Sequence, residues 1–541
     1  MKKRGADVLI RTLANAGVRR IFTVSGNHIM PVFDAALDAG IELIHARHEA
    51  AAVHMADAST RVSGDIGVAL VTGGPGHANA VSALFTALLA ESPVLFLSGH
   101  APTREIGTGA FQEMRQADIA APVSKAAWTC ATAGALAGDV ARAVRLAQSG
   151  RPGPVHVSLP VDALEGDASA TAVPATRELG ASPIELDPQT GDALLRRLRE
   201  ASRPVILVGP TGLTRRGRAL AAALEDAAGI PVVGMESPRG MADPSLGAFA
   251  EMLAQADCAL LLGKRLDFTL QFGKAPAFAP QCAFLQIDAD DVELERSRRA
   301  VGERLTVAAI ADTRSALRTL ARNASARSKA HETWRAEVQD AVRYRPAAWD
   351  HARSTTAKKL HPVQALRPLQ SLLDSHPDAA LVADGGEFGQ WAHACLTAPH
   401  RVINGVAGAI GTALPYAIGV RSALPDAPVV AVLGDGTFGF HPAEIDTAVR
   451  YKLPFVAVIG NDARWNAEYQ IQLRDYGADR TIGCELLPTR YDLVCAAFGG
   501  HGELVTDSAE FAPAIERACR SGLPAIVNVM IEGAAAPRIG R

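Results

Sequence analysis

At 541 residues the chain is too long for one hydrophobic core, and 48% hydrophobic against 21% charged residues is the balance of a folded globular protein of about three domains. A formal net charge of -3 gives no footprint for a nucleic-acid partner or a membrane surface, and no run of about 18 apolar residues offers a membrane span. Seven widely spaced cysteines without a CxxC pair speak against a disulfide framework or zinc site, and they fit a cytoplasmic protein, as does a basic start, Met1-Lys2-Lys3-Arg4, that no signal-peptide core follows.

Short apolar runs ending near glycine alternate with helix-like stretches along the whole chain. They are Ile66 to Val71, Val94 to Leu97, Val205 to Val208, Ala259 to Leu262, Ala380 to Val382, Val429 to Leu433 and Phe455 to Ile459. Such runs read as buried parallel strands with crossover helices between them, so the fold class is α/β, with three doubly wound parallel-sheet domains. The blocks are 1–165, 185–325 and 360–533. A linker rich in Ala, Ser, Thr, Asp and Pro runs from Glu165 to Pro188, and a charged helix plus connector from Arg327 to Lys359.

The first and third blocks repeat one pattern. Strand, glycine turn, helix, proline and strand appear as Gly67 to Val71, Gly73-Gly74-Pro75-Gly76, an Ala-rich stretch and Glu91-Ser92-Pro93. They appear again as Val429 to Leu433, Gly434-Asp435-Gly436, a helix and Lys452-Leu453-Pro454. Two related domains flanking a different one follow from this.

In the third block Gly434-Asp435-Gly436-Thr437 ends one strand, and Gly460-Asn461-Asp462-Ala463 ends the next. Neighbouring parallel strands finish side by side at the ligand crevice, so Asp435 and Asn461 point to one place. A carboxylate and an amide oxygen are a hard half-shell for Mg2+ whose remaining ligands come from a diphosphate. The glycines Gly434 and Gly436 permit close approach, and the helix opening at Thr437 offers free N–H groups.

This spacing resembles the signature of thiamine-diphosphate enzymes, with Gly460 standing where that family usually has a second Asn. The likeness continues through Arg47-His48-Glu49 and its Ala-rich helix, Val71 to Gly76, Gly109-Ala110-Phe111-Gln112-Glu113, Pro122-Val123-Ser124-Lys125 and Arg151-Pro152-Gly153-Pro154. It points to the acetolactate synthase, 2-hydroxyacyl-CoA lyase and oxalyl-CoA decarboxylase branch. The central Gly263-Lys264-Arg265-Leu266-Asp267-Phe268 leans toward the lyase and decarboxylase pattern.

The resemblance implies a pyrimidine-binding first domain, a central domain and a diphosphate-binding third domain, with thiamine diphosphate and Mg2+ as cofactors. It implies that Glu49 bonds N1′ of the aminopyrimidine and that Ala463 adds a backbone carbonyl to the metal ligands Asp435 and Asn461. Gly408 offers its carbonyl to the 4′-amino group, Ile410 is the apolar wedge that bends the cofactor, and Gly385, Gly386 and Glu387 form a turn on the diphosphate side. Gly74 and His77 lie by the pyrimidine. His28, Gln112 and Glu468 are candidate acid–base or substrate groups, with Trp465 as a pocket wall. The acid and the metal site sit on different blocks, which implies a homodimer or homotetramer with active sites between subunits. No clear flavin pattern supports FAD or ADP in the central domain.

The expected activity is carbon–carbon lysis, decarboxylation or carboligation on a 2-oxo acid or a 2-hydroxyacyl-CoA. A silent homologue with a binding role is the competing class, and the retention of Glu49, Asp435 and Asn461 weighs against it. A nicotinamide-dependent dehydrogenase is set aside because no GxGxxG opens a helix with an acid about 20 residues on.

Overall fold

The apolar runs become strands buried on both faces, because helices cover both sides of each sheet. A computed structural model describes residues 3–324 and 331–541. Met1, Lys2, position 325 of the central block and the first residues of the charged stretch at Arg327 lie outside the described residues, and the rest of that stretch opens with a helix, Glu332–Arg343.

Three sheets carry the architecture, and every strand pair in them is parallel. The first contains β1 (Arg20–Thr23), β2 (Glu42–His45), β3 (Gly67–Val71), β4 (Val94–His100), β5 (Ala126–Thr129) and β6 (Val155–Pro160), in the order β2-β1-β3-β4-β6-β5. The central sheet contains β7 (Pro204–Val208), β8 (Val232–Gly234), β9 (Cys258–Leu262), β10 (Ala283–Asp288) and β11 (Leu305–Ile310), in the order β11-β10-β9-β7-β8. The third contains β12 (Ala380–Ala383), β13 (His400–Ile403), β14 (Val429–Gly434), β15 (Val456–Asn461), β16 (His501–Val505) and β17 (Ala525–Met530), in the order β13-β12-β14-β15-β17-β16. Numbered within their own domains, the first and third sheets have the same strand order. The repeat read from the sequence is therefore a repeat of topology.

The two outer domains are joined through equivalent helices, each lying between the second and third strands of its sheet: Glu49–Ser63 and Ala413–Ala423. Alanines at 50, 51, 52, 56 and 58 let the backbones close, and a Cβ added to Gly419 would lie 2.9 Å from Met55 Cα. One continuous apolar core results, running from Phe22 and Val53 to Ala417 and Ile459. Inside it, Arg61 donates to Asp57 through Nε at 2.7 Å and Nη2 at 2.6 Å, and the Tyr416 hydroxyl donates to Asp57 at 2.9 Å. The central domain has cores of its own. It meets the first domain through Arg151, which pairs with both Glu91 and Asp288, while Thr211 N–H donates to Glu91 at 3.2 Å.

After β17 the chain crosses back over the third domain. Asn466 Nδ2 and Trp391 Nε1 each donate, at 3.0 Å, to the carbonyls of Ala534 and Ala535, and the Arg541 N–H reaches Glu251 of the central domain at 2.7 Å. Among the described residues no helix is long and apolar enough to cross a membrane.

Candidate active site

The third domain builds its half of the site at the ends of β14 and β15, where Gly434 pairs with Gly460. Asp435 follows β14 and is 2% exposed; its Oδ1 accepts the Gly436 N–H at 3.0 Å, while its Oδ2 has no hydrogen-bond partner. Asn461 ends β15 and is fully buried. Its Nδ2 donates to the Thr489 carbonyl at 3.0 Å and to Asn528 Oδ1 at 3.1 Å, which fixes the amide and leaves Oδ1 unpartnered. Buried oxygens are nearly always bonded, and these two, at the ends of neighbouring strands, are not. Burial lifts the Asp435 carboxyl to about 6 against the pull of nearby backbone N–H groups. Ala463 is held left-handed at φ 62, and its carbonyl accepts the Leu486 N–H at 2.8 Å, so one lone pair stays free.

The walls are mostly apolar. Trp465 lies over Gly436, where an added Cβ would come within 2.8 Å of its ring, and it meets Phe440 edge-on at 6.4 Å. Gly411 turns left-handed at φ 82 beneath Phe440. Ile410 is 38% exposed and sits on Gly385, where an added Cβ would be 2.7 Å from its Cγ2. Gly386 and Gly408 are also left-handed, at φ 80 and φ 67. Thr437 donates to the Gly434 carbonyl at 2.9 Å. The helix expected after Gly436 starts at Asp435 and stops at Phe438; Pro442 prevents continuation and a new helix runs Glu444–Arg450.

Asp384, at the head of the turn that carries Gly385, Gly386 and Glu387, organises these turns. Its Oδ1 accepts the N–H groups of Gly385 at 2.7 Å and Gly411 at 3.1 Å, and its Oδ2 that of Ala413 at 3.0 Å. Glu387 has an unpartnered Oε2 lying 3.8 Å from Arg239 of the central domain. Burial raises its carboxyl and the nearby Glu468 adds to the rise, while Arg239 opposes it. Glu468 itself is exposed. Beside Glu387 a cavity of about 860 Å³ opens, with Arg239, Arg474 and Arg538 among its lining residues and the tail from Ala535 to Ile539 along it.

The first domain gathers the other half. Glu49 is the first residue of its helix, which His48 Nδ1 caps by accepting the Ala50 N–H at 3.1 Å. Glu49 Oε2 accepts from Asn79 Nδ2 at 3.1 Å, and Oε1 faces Gly76, where an added Cβ would stand 3.4 Å away. His28 Nδ1 is 3.1 Å from Thr72 Oγ1, and the ring stacks on the exposed Phe111 with centroids 6.0 Å apart. Burial holds its imidazole below the usual histidine range. Gln112 is left-handed at φ 57 and packs on Gly74, where an added Cβ would be 2.8 Å from its own Cβ.

Two residues that the sequence reading missed hold this half together. Gln116 Oε1 accepts the Gly74 N–H at 2.9 Å while its Nε2 donates to Ser98 at 2.8 Å, and Asn79 carries Glu49. Their partners are distant in sequence, so no spacing announced them. His77, expected beside the pyrimidine, packs against the sheet. It is fully buried, its Nδ1 is 3.2 Å from Ser98 Oγ, and its ring packs on His156 at 4.7 Å, because it lies on the sheet-facing side of the helix Pro75–Leu89.

Comparison with known proteins agrees with this partition. Residues 3–119, 192–320 and 384–529 match the models described as the thiamine pyrophosphate enzyme N-terminal binding domain, central domain and C-terminal binding domain. The chain is 35% identical to a probable acetolactate synthase of Mycobacterium bovis, covering 97% of this chain and 95% of that one. It is 30% identical to 2-hydroxyacyl-CoA lyase 2 of Homo sapiens, covering 98% and 90%. It is 28% identical to a probable acetolactate synthase large subunit of Methanocaldococcus jannaschii, covering 98% and 93%.

Proposed function

Because this chain belongs to the thiamine pyrophosphate enzymes, we propose that it anchors thiamine diphosphate through Mg2+ and makes or breaks a carbon–carbon bond of a 2-oxo acid or 2-hydroxyacyl-CoA, in the manner of an acetolactate synthase. The observation that carries the metal is the pair of unpartnered buried oxygens, Asp435 Oδ2 and Asn461 Oδ1, at neighbouring strand ends. With the free lone pair of the Ala463 carbonyl they would hold the cation.

When bound, the cofactor supplies an acidic C–H on its thiazolium ring and a sink for the electron pair of a broken carbon–carbon bond. Glu49, fixed by Asn79, would hold a proton at N1′ of the pyrimidine. The Gly408 carbonyl would accept from the 4′-amino group, and Ile410, exposed at 38% on a turn that Asp384 pins, would support the bend between the rings. Gly385, Gly386 and Thr437 border the diphosphate side. His28, kept neutral by burial, and Gln112 would hold or pass a proton at a substrate oxygen, and Trp465 would exclude water.

Exposed apolar side chains support a subunit contact at the site. Phe111, Phe440, Ile482 and Leu487 are 71%, 50%, 80% and 77% exposed around the two halves, and a second copy would cover them in a homodimer or homotetramer. All seven cysteines are free, as a reducing cytoplasm requires. The strand ends of the central sheet hold the Arg151, Glu91 and Asp288 network and the buried Lys264, and neither FAD nor ADP enters the proposal.

Calorimetric titration with thiamine diphosphate, with and without Mg2+, tests the anchor. Binding that survives chelation unchanged would remove it. Product mass from pyruvate, benzoylformate, oxalyl-CoA and 2-hydroxyacyl-CoAs identifies the substrate. A second reading, a 2-hydroxyacyl-CoA lyase proper, is favoured by the size of the arginine-lined cavity of about 860 Å³, which exceeds the needs of a three-carbon acid.

A further inference from the structure

We infer that Glu444 is a positioning residue for Glu49, acting from the third domain on the turn that delivers the acid; this rests on the role of Glu49 proposed above. Glu444 is 1% exposed and opens the helix Glu444–Arg450. Its Oε1 accepts the backbone N–H of Arg47 at 3.0 Å, two residues before Glu49, and its Oε2 accepts the Thr447 hydroxyl at 2.7 Å. The same segment closes on the turn from three further directions. Arg450 Nη2 donates to the His45 carbonyl at 2.6 Å, the Tyr451 hydroxyl accepts the His45 N–H at 2.9 Å, and Arg47 Nη1 donates to Asp446 at 3.2 Å.

The backbone groups of residues 45 and 47 are thus held by side chains about 400 positions away in sequence. The start of a helix has free N–H groups and frays unless something fixes it. Here a cap from His48 fixes Ala50, and Glu444 fixes the residue just upstream. On the entry side the Ala46 N–H donates to the Thr23 carbonyl at 2.8 Å, and Glu444 takes the Arg47 N–H nearer the acid. An acid that must meet a ring nitrogen tolerates little displacement, since misplacement of about 1 Å is enough to cost roughly 100-fold in rate. A nearly fully buried carboxyl that accepts from the backbone of this turn is the device that removes this freedom.

The test compares Glu444→Ala, Glu444→Gln and Tyr451→Phe in the full chain, with Glu49→Gln alongside. In the cofactor-free protein, amide exchange over residues 45–52 should quicken about 10-fold or more in Glu444→Ala and stay near wild type in Glu444→Gln, which keeps the acceptor oxygen. With thiamine diphosphate bound, C2–H exchange should fall roughly 10- to 100-fold in Glu444→Ala while the cofactor Kd moves less than about 3-fold, and Glu444→Gln should restore most of the rate. Tyr451→Phe, which frees only the His45 N–H, should quicken the same amides about 3-fold and decides the matter if Glu444→Ala does not fold. Wild-type amide and C2–H exchange in Glu444→Ala, or in Tyr451→Phe when it stands alone, overturns the inference, as does equal loss in Ala and Gln variants. If Glu49→Gln abolishes C2–H exchange and Glu444→Ala leaves it intact, only the Glu444 inference fails. If Glu49→Gln also leaves it intact, the role of Glu49 fails.

Discussion

Replacing Asp57 by alanine should weaken the joint between the first and third domains by about 3–5 kcal/mol, the usual cost of stranding a buried charge. Asp57 is fully buried and accepts from Arg61 at 2.7 and 2.6 Å and from the Tyr416 hydroxyl at 2.9 Å. Without it the Arg61 guanidinium, whose side chain is 13% exposed, keeps the Ile403 carbonyl at 2.6 Å, the Tyr416 hydroxyl oxygen at 3.1 Å and Ser92 Oγ at 3.3 Å, none of them charged, and the Tyr416 O–H loses its acceptor. The stranded O–H adds about 1–3 kcal/mol within the same order. A chain with separate cores does not unfold in one step, so the reading is differential scanning calorimetry of the transition that carries the outer domains. That transition should fall by roughly 5–15 °C while the central domain's stays in place. The double variant Asp57→Leu with Arg61→Met removes both charges and should melt within a few degrees of wild type. A loss below about 1 kcal/mol in Asp57→Ala, or a double variant as weak as the single one, would refute the argument.

Three further outcomes are expected. Asp435→Ala and Asn461→Ala should each weaken Mg2+-dependent cofactor binding about 100-fold or more by titration calorimetry, and a change under about 3-fold would take either residue out of the metal site. Gly411→Ala places a side chain at φ 82 against Phe440 and should lower the melting temperature by several degrees together with cofactor affinity; unchanged affinity would separate that turn from the cofactor. His54 is buried, which drives its imidazole down to about 4, with Asp57 opposing and Arg61 and His48 assisting. Below about 6.5 the unfolded chain therefore takes up a proton that the folded one refuses. Stability from this group is complete above 6.5 and fades as pH falls toward 4, by about 2 kcal/mol at pH 5. His54→Gln should flatten that part of the melting profile between pH 7 and pH 5, and parallel profiles would contradict it.

The sheets were legible because Val, Ile and Leu runs bounded by glycine leave little else for the chain to do. The convergence of Asp435 and Asn461 was legible for a related reason: they fall at the ends of consecutive strands, and parallel register brings such ends together. Gln116, Asn79 and Glu444 were not legible. Gln116 and Glu444 hold backbone N–H groups, which leave no trace in residue type, and Asn79 holds a carboxylate 30 positions away. The direction of the His77 ring was not legible, because adjacency to Gly76 says nothing about helix face; the ring packs on Phe96 and His156.

The matching strand order of the outer sheets bears on ancestry. Duplication of one domain, followed by divergence, would leave this arrangement. The segment after the second strand carries Glu49 in one copy and the turn of Gly408 and Ile410 in the other, and the segment after the third carries the bare bend at Gly73 and Gly74 in one and the oxygen-bearing bend at Asp435 in the other. On the roles proposed above, neither copy would keep both jobs, and a lineage that lost one would lose the chemistry whole.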